Sequence, residues 1–219
     1  MMPDYNRAAA AALQTLLKYN VTSAPIMPLP LFKQIPNVLV LSFAEISDAY
    51  NIDRKHLVNI ISEENQDAIT MVHSDVNKLR YIVTYNQRLP FYMLQRGLAR
   101  ELGHIVLGHD GSRPTDVRNA EAQCFAYHLI CPRPLIRAIQ QSGVRLSVEC
   151  LGNVTGCYER CLIGMRKTPA ATVPAELNRA VKNLFSDYLE NFLSWQSILS
   201  DTDETPVADF GTFMDGYEE

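Results

Sequence analysis

The sequence predicts an α+β fold in which helices outnumber strands. Three features carry this reading: an Ala-rich helical opening, two neighbouring strand-like runs within residues 68–85, and apolar stripes of helical period from residue 94 onward. With 219 residues and 47% hydrophobic content, the chain can bury one domain, or one domain with an appendage. A net charge of −4 argues against a nucleic-acid-binding surface spread over the whole molecule. The charge is uneven, because residues 201–219 hold seven acids and no Lys or Arg, leaving residues 1–200 at +3.

The elements follow from the chain in order. Residues 6–19 form an Ala-rich helix with Leu13, Leu16 and Leu17 on one face. Pro25, Pro28 and Pro30 interrupt the pattern and start a short helix through Ile35. Val38 to Phe43 is a compact apolar run, read as a buried strand, and residues 44–62 are helical in two pieces before a polar turn at 63–67. Residues 68–74 and 79–85, around Asp75-Val76-Asn77-Lys78, give a hairpin. Pro90 opens a central helix that ends at Gly108 and the turn-rich Asp110 to Pro114.

A helix over 116–131 follows, stopped by Pro132 and Pro134, and a short one runs from Leu135 to Gln141. Two short helical patterns lie in 146–166. Pro174 starts a long amphipathic helix with Leu177, Val181, Leu184, Phe185, Tyr188, Phe192 and Trp195 along one stripe. The last 19 residues are acidic and have little to bury, so they are read as disordered. Phe210, Phe213 and Tyr217 in that tail have the spacing of a docking helix, with chance a strong competitor. No apolar run reaches the roughly 18–20 residues that span a bilayer, and no secretion signal opens the chain. Five Cys without paired spacing fit a reducing compartment, and they read as small buried hydrophobes in a cytoplasmic protein.

The central helix is mostly apolar yet carries Arg100, Glu101 and His104. A buried charge is costly unless it is paired. The spacing is one residue short of H-E-x-x-H, in which two His one turn apart hold zinc and the Glu activates bound water. Glu101 and the second His, His104, are present, but the first His is Arg100. A catalytic zinc takes three protein ligands, and Glu121, 17 residues past His104 on the next helix, is the candidate for the third.

Three segments then read together: Arg-Tyr-Ile-Val-Thr-Tyr-Asn, Ala-Arg-Glu-Leu-Gly-His-Ile-Val-Leu-Gly-His and Ala-Glu-Ala-Gln-Cys-Phe-Ala-Tyr-His-Leu-Ile-Cys-Pro. Their order and spacing resemble the ImmA/IrrE-type metallopeptidase domain over about residues 8–165. The resemblance implies a mainly helical zincin-like fold with a small antiparallel sheet or hairpin, over residues 1–165. A helix-turn-helix-like segment at 146–165, a C-terminal helix over 166–200 and the tail 201–219 complete the expected organisation. By position, His104 and Glu121 match two metal ligands and Glu101 matches the general base. The cofactor implied is zinc if the site is active, and none otherwise. The partner implied is a protein or peptide, namely a helix-turn-helix transcriptional repressor of a mobile element or stress response. Direct nucleic-acid binding is not expected, since residues 146–166 lack the basic face that phosphate contacts require.

Arg100 cannot bind zinc, because a guanidinium stays protonated and has no free lone pair. The sharp expectation is that its charge replaces the metal and faces Glu121. The plainer one is an outward-pointing Arg100 with zinc on His104, Glu121 and a substitute. Gly108 offers a break that would turn His109 back as that substitute, although a supporting role beside a ligand is the favoured reading. His128 lies about 10 Å beyond Glu121 along one helix, too far to share an ion, and His56 and His73 read as structural. Tyr81, Thr84 and Tyr85 occupy the strand that, by resemblance, pairs with an extended substrate; ordinary packing explains each equally well. The two functions in view are therefore a zinc endopeptidase and a pseudo-peptidase that binds its partner without cutting it.

Overall fold

The computed structural model describes residues 1–51, 53, 55–56, 67–75, 78–157, 162–164 and 167–200. The acidic tail with its aromatic triplet, the second helical piece up to residue 62, most of the polar turn, the hairpin tip at 76–77 and Cys161 lie outside the described residues, as does the His73 side chain. The chain divides into two compact units. The first comprises Met1–Pro3 and Met27–Ala126, and the second Asp4–Ile26 and Tyr127–Glu219.

In the first unit, α2 (Pro28–Phe32) begins at its prolines and leads to β1 (Val38–Ser42). Ser42 then caps α3 (Phe43–Tyr50): its hydroxyl accepts from the Glu45 N–H while the Glu45 carboxylate accepts from the Ser42 N–H. This reciprocal pair satisfies two amide donors that a helix start otherwise leaves open. β2 (Ala68–Asp75) and β3 (Lys78–Tyr85) form the expected hairpin.

The sheet is mixed rather than antiparallel, with order β1-β3-β2, because β1 pairs in parallel with β3 from Val38↔Tyr81 to Ser42↔Tyr85. A parallel neighbour requires a crossover from elsewhere in the chain, which a hairpin signal does not reveal. The central helix α4 (Phe91–Val106) packs on β2, β3 and α2. Its buried residues include Leu98, Ala99, Leu102 and Ile105, the predicted stripe, together with Glu101.

Two glycines set how closely α4 approaches its neighbours. A Cβ on Gly97 would stand 2.6 Å from the Asp67 Cβ, beside the start of β2. A Cβ on Gly103 would meet the Phe125 ring at 3.0 Å and Ala122 backbone atoms at 3.1 and 3.2 Å, on α5 (Thr115–Ile130). Gly103→Ala is expected to lower unfolding free energy by about 1–2 kcal/mol, since overpacking outweighs the helix-propensity gain. Urea denaturation checks this.

The second unit holds α1 (Tyr5–Lys18), α6 (Arg133–Gln141), α7 (Val148–Thr155), α8 (Ala175–Leu184) and α9 (Ser186–Ser200). Asp4 caps α1 by accepting from the Arg7 N–H, and the buried stripe is Ala8, Ala9, Ala12, Leu13, Thr15 and Leu16, which lies against α8. Small Ala side chains permit that close helix contact. The compact units therefore depart from a division at residue 165, since α1 belongs with the C-terminal helices. The predicted long helix after Pro174 is two helices broken at Phe185, and Trp195 is 66% exposed, off the buried stripe. Phe185 itself is fully buried, and Val181 and Leu189, four residues to either side of it, are buried too. Cys150 and Cys157 are buried and outside any disulfide in this unit, as Cys124 is in the first.

Candidate functional site

All the candidate chemistry lies in the first unit, on α4, the turn after it and the first half of α5. α4 ends in a left-handed Gly108, with φ of 65°. The His109 N–H donates to the His104 carbonyl at 2.9 Å and the Gly108 N–H to Ile105 at 3.1 Å. This is the Schellman closure of a helix, and only glycine takes such a φ without strain. The closure turns the chain back and brings the His109 ring beside His104.

The His109 and His104 Nδ1 atoms lie 2.9 Å apart, with the rings edge to face at 5.0 Å between centroids. On its other side, His109 Nε2 donates to Glu121 Oε2 at 3.0 Å. The same oxygen accepts from Arg113 Nη1 at 2.7 Å. Glu121 and His109 are each only 1% exposed by side chain, while Arg113 reaches the surface at 24%. Arg113 also meets the Met1 sulfur through Nε. A cation and an imidazole thus both hold the buried carboxylate.

Arg100 does something other than expected. It does not face Glu121; Nε and Nη2 donate to Glu101 Oε1 at 3.1 and 2.9 Å, and Nη2 also donates to the Ala68 carbonyl of β2 at 3.2 Å. The guanidinium therefore ties Glu101 to the edge of the sheet. The cation opposite Glu121 is Arg113, which sequence reasoning passed over. Its only sequence signal is a positive charge in the Gly/Pro turn eight residues ahead of Glu121.

Electrostatics follow this packing. Burial pushes the Glu101 carboxyl above its usual range, opposed by the Arg100 charge. Burial lowers His104 to about 3, helped by His109, Arg100 and Arg118, so its ring is neutral near pH 7. Burial raises Tyr81 and Tyr85, with Asp110 adding to the first and Glu45 to the second.

Tyr81, Thr84 and Tyr85 lie on β3, which is paired on both sides. Its backbone is spent on β1 and β2, so an extended peptide cannot add there; the strand-pairing expectation for these residues is corrected on that ground. Among the described residues the sheet's edges are β1 and β2, and β2 exposes Met71 and Val72. Thr84 is buried. His128 belongs to the second unit, and His56 is exposed.

Residues 54–153 match the family model Peptidase_M78, described as IrrE N-terminal-like domain. Over those residues the chain is similar to the IrrE N-terminal-like domain family. It is also similar to a Drosophila melanogaster protein described as VPS35 endosomal protein sorting factor-like, at 24% identity over 166 residues. That match covers 68% of this chain, and the chain spans about 18% of that protein. No solved structure matches.

Proteins with an IrrE N-terminal-like domain of this family are typically zinc-dependent, so the donors need testing against zinc. His109 has both ring nitrogens engaged: Nε2–H is given to Glu121, and one proton occupies the contact with His104. As arranged, it offers no lone pair that is not already engaged in a hydrogen bond. Glu121 has one oxygen carrying two hydrogen bonds, Glu101 has one against Arg100, and Arg100 has no lone pair to give. Among the described residues no three His, Cys, Asp or Glu side chains are grouped to hold a metal ion. As arranged, this donor set does not fit the three-ligand zinc of a peptidase.

Proposed function

We propose that the protein uses its IrrE N-terminal-like domain to hold a helix-turn-helix transcriptional repressor, of a mobile element or stress response, without cutting it. The observation that carries this reading is Arg100, whose guanidinium joins Glu101 Oε1 to the Ala68 carbonyl. The group in the position of the general base is thereby paired with a cation in place of a metal-activated water. The edge strand β2, with exposed Met71 and Val72, offers a backbone on which an extended segment of the partner adds as a further strand. Tyr81 stands near the Asp110 turn and contributes to the same surface.

A second reading, hydrolysis of the same partner, is favoured by one observation. Glu101, His104 and Glu121 retain the family's order and spacing on adjoining helices. No helix among the described residues is long and apolar enough to cross a membrane, which accords with the cytoplasmic setting such a repressor requires.

The distinguishing experiment is cross-linking to the repressor followed by mass spectrometry of the recovered chains. The binding reading expects an intact repressor with cross-links to residues near β2. A repressor recovered as two fragments with a new N-terminus would overturn it in favour of hydrolysis.

A further inference from the structure

The apolar stripe expected after Pro174 runs out of the core along α9. On that helix Tyr188, Phe192 and Trp195 fall at i, i+4 and i+7, which is one face. Burial declines along it: Phe185, just before α9, is fully buried, Tyr188 and Phe192 are half-buried, and Trp195 is 66% exposed. The first three rings form a file. Phe185 meets Tyr188 edge to face at 6.3 Å between centroids, and Tyr188 stacks on Phe192 at 6.0 Å. An indole left in water at the end of such a file forgoes one of the largest apolar burials that a side chain offers.

Residues 201–219 follow α9 directly and carry Phe210, Phe213 and Tyr217 at i, i+3 and i+7. That is the spacing of the α9 stripe read backwards. Trp195 with Phe210, Phe192 with Phe213 and Tyr188 with Tyr217 all share one midpoint, between residues 202 and 203. Two antiparallel helices joined by a turn centred there set the three pairs side by side along about 10 Å of helix. The residues of the turn agree with this. Ser200 closes α9, Pro206 suits a first helical position behind Thr205 as cap, and 201–205 has the length of an ordinary helix–helix connection. Gly211 and Gly216 lower the helix propensity of the segment, so its shape must come from packing on α9. Charge favours the same contact. Without the tail, the second unit holds ten Lys and Arg against six Asp and Glu, whereas the tail holds seven acids and no base.

We propose that the acidic tail folds back on α9 as the second arm of a helical hairpin, with Phe210, Phe213 and Tyr217 covering Trp195, Phe192 and Tyr188. The occupant of the exposed aromatic face is thus the chain's own segment 206–217. Aromatic contacts hold it in register, and the attraction between an acidic strap and a basic unit adds to them. Docking hides two apolar surfaces at once, that of α9 and that of the tail. The contact is independent of the repressor-holding reading, because it uses none of that reading's residues.

Trp195 is the chain's single tryptophan, so its fluorescence reports on this face alone. The test is acrylamide quenching of the full chain, beside the double variant Phe210→Ser with Phe213→Ser and beside a chain stopped after Ser200. Sedimentation gives the mass at each protein concentration. The expected result is weak quenching of the natural sequence, the same at every concentration. Both altered chains should quench as an indole in water does, since losing two aromatic anchors lowers the docked population at least about tenfold. Equal quenching in all three chains would overturn the proposal. So would protection that grows with protein concentration alongside a mass of two chains, which would assign the face to a second copy.

Discussion

Replacing Arg113 by Ala is expected to lower the unfolding free energy by about 3–5 kcal/mol, the range for removing one partner of a buried ion pair. The reason is an asymmetry in burial. Glu121 is 1% exposed and cannot reach water, whereas Arg113 at 24% can relax outward. Removing the cation takes the Arg113 hydrogen bond and its charge from a carboxylate that is 1% exposed, while removing the carboxylate frees a side chain that can resolvate. Glu121→Leu should therefore cost less than Arg113→Ala. The double variant Arg113→Met with Glu121→Leu should recover most of the loss, because replacing a whole buried pair by apolar groups is often close to neutral. Urea unfolding of the three variants measures this. Equal costs for the two single changes, with no recovery in the double, would remove Arg113 from its assigned role.

Acid should destabilise the protein through His128. Burial, with the Arg133 charge adding to it, lowers this imidazole from its ordinary 6.5 to about 3. Between those values the unfolded chain binds a proton that the folded chain refuses, so stability rises with pH across the window. The contribution is fully present above pH 6.5, falls as the solution is acidified, and is gone near pH 3. At about 1.36 kcal/mol per unit, the whole effect is on the order of 5 kcal/mol. His104 is lowered to the same value and acts in the same direction. Unfolding free energies measured from pH 7 to pH 4 should decline, and His128→Gln should flatten that decline without abolishing it. A decline of undiminished slope in His128→Gln would mean that this group is not the titrating one.

The helices were legible because their cause is local. The stripe Leu98, Leu102 and Ile105 predicts the buried face of α4, and Gly108 with Pro114 predicts where it stops and how the chain turns. Ser42 and Glu45 likewise write a helix start into four residues. Partners distant in sequence were not legible. Nothing in Val38–Ser42 says that it lies parallel to β3, and that single pairing removes β3 from the sheet edge. The placement of α1 against α8 depends on a contact across more than 150 residues, and its Ala face suits many neighbours.

The candidate site divides the same way. Spacing singles out Glu101, His104 and Glu121; the structure links His104 to Glu121 through His109 and pairs Glu101 with Arg100. Where Arg100 points was not decided by spacing, because its fork can reach either carboxylate. The structure seats it on Glu101 and the Ala68 carbonyl and gives Glu121 to Arg113. His109 was singled out for its neighbouring glycine, and the Schellman closure explains why that glycine matters. Its ring joins His104 to Glu121 by hydrogen bonds through both nitrogens, an arrangement that depends on side-chain packing and not on period.

The central claim is that paired charges and imidazoles, rather than a zinc ion, hold this constellation together. Elemental analysis of the protein purified without added zinc, then equilibrated with zinc and desalted, tests it most directly. The account predicts far less than one zinc per chain for the natural sequence, with Arg100→His raising the content toward one. One zinc per chain in the natural sequence, lost in Glu121→Gln, would contradict it.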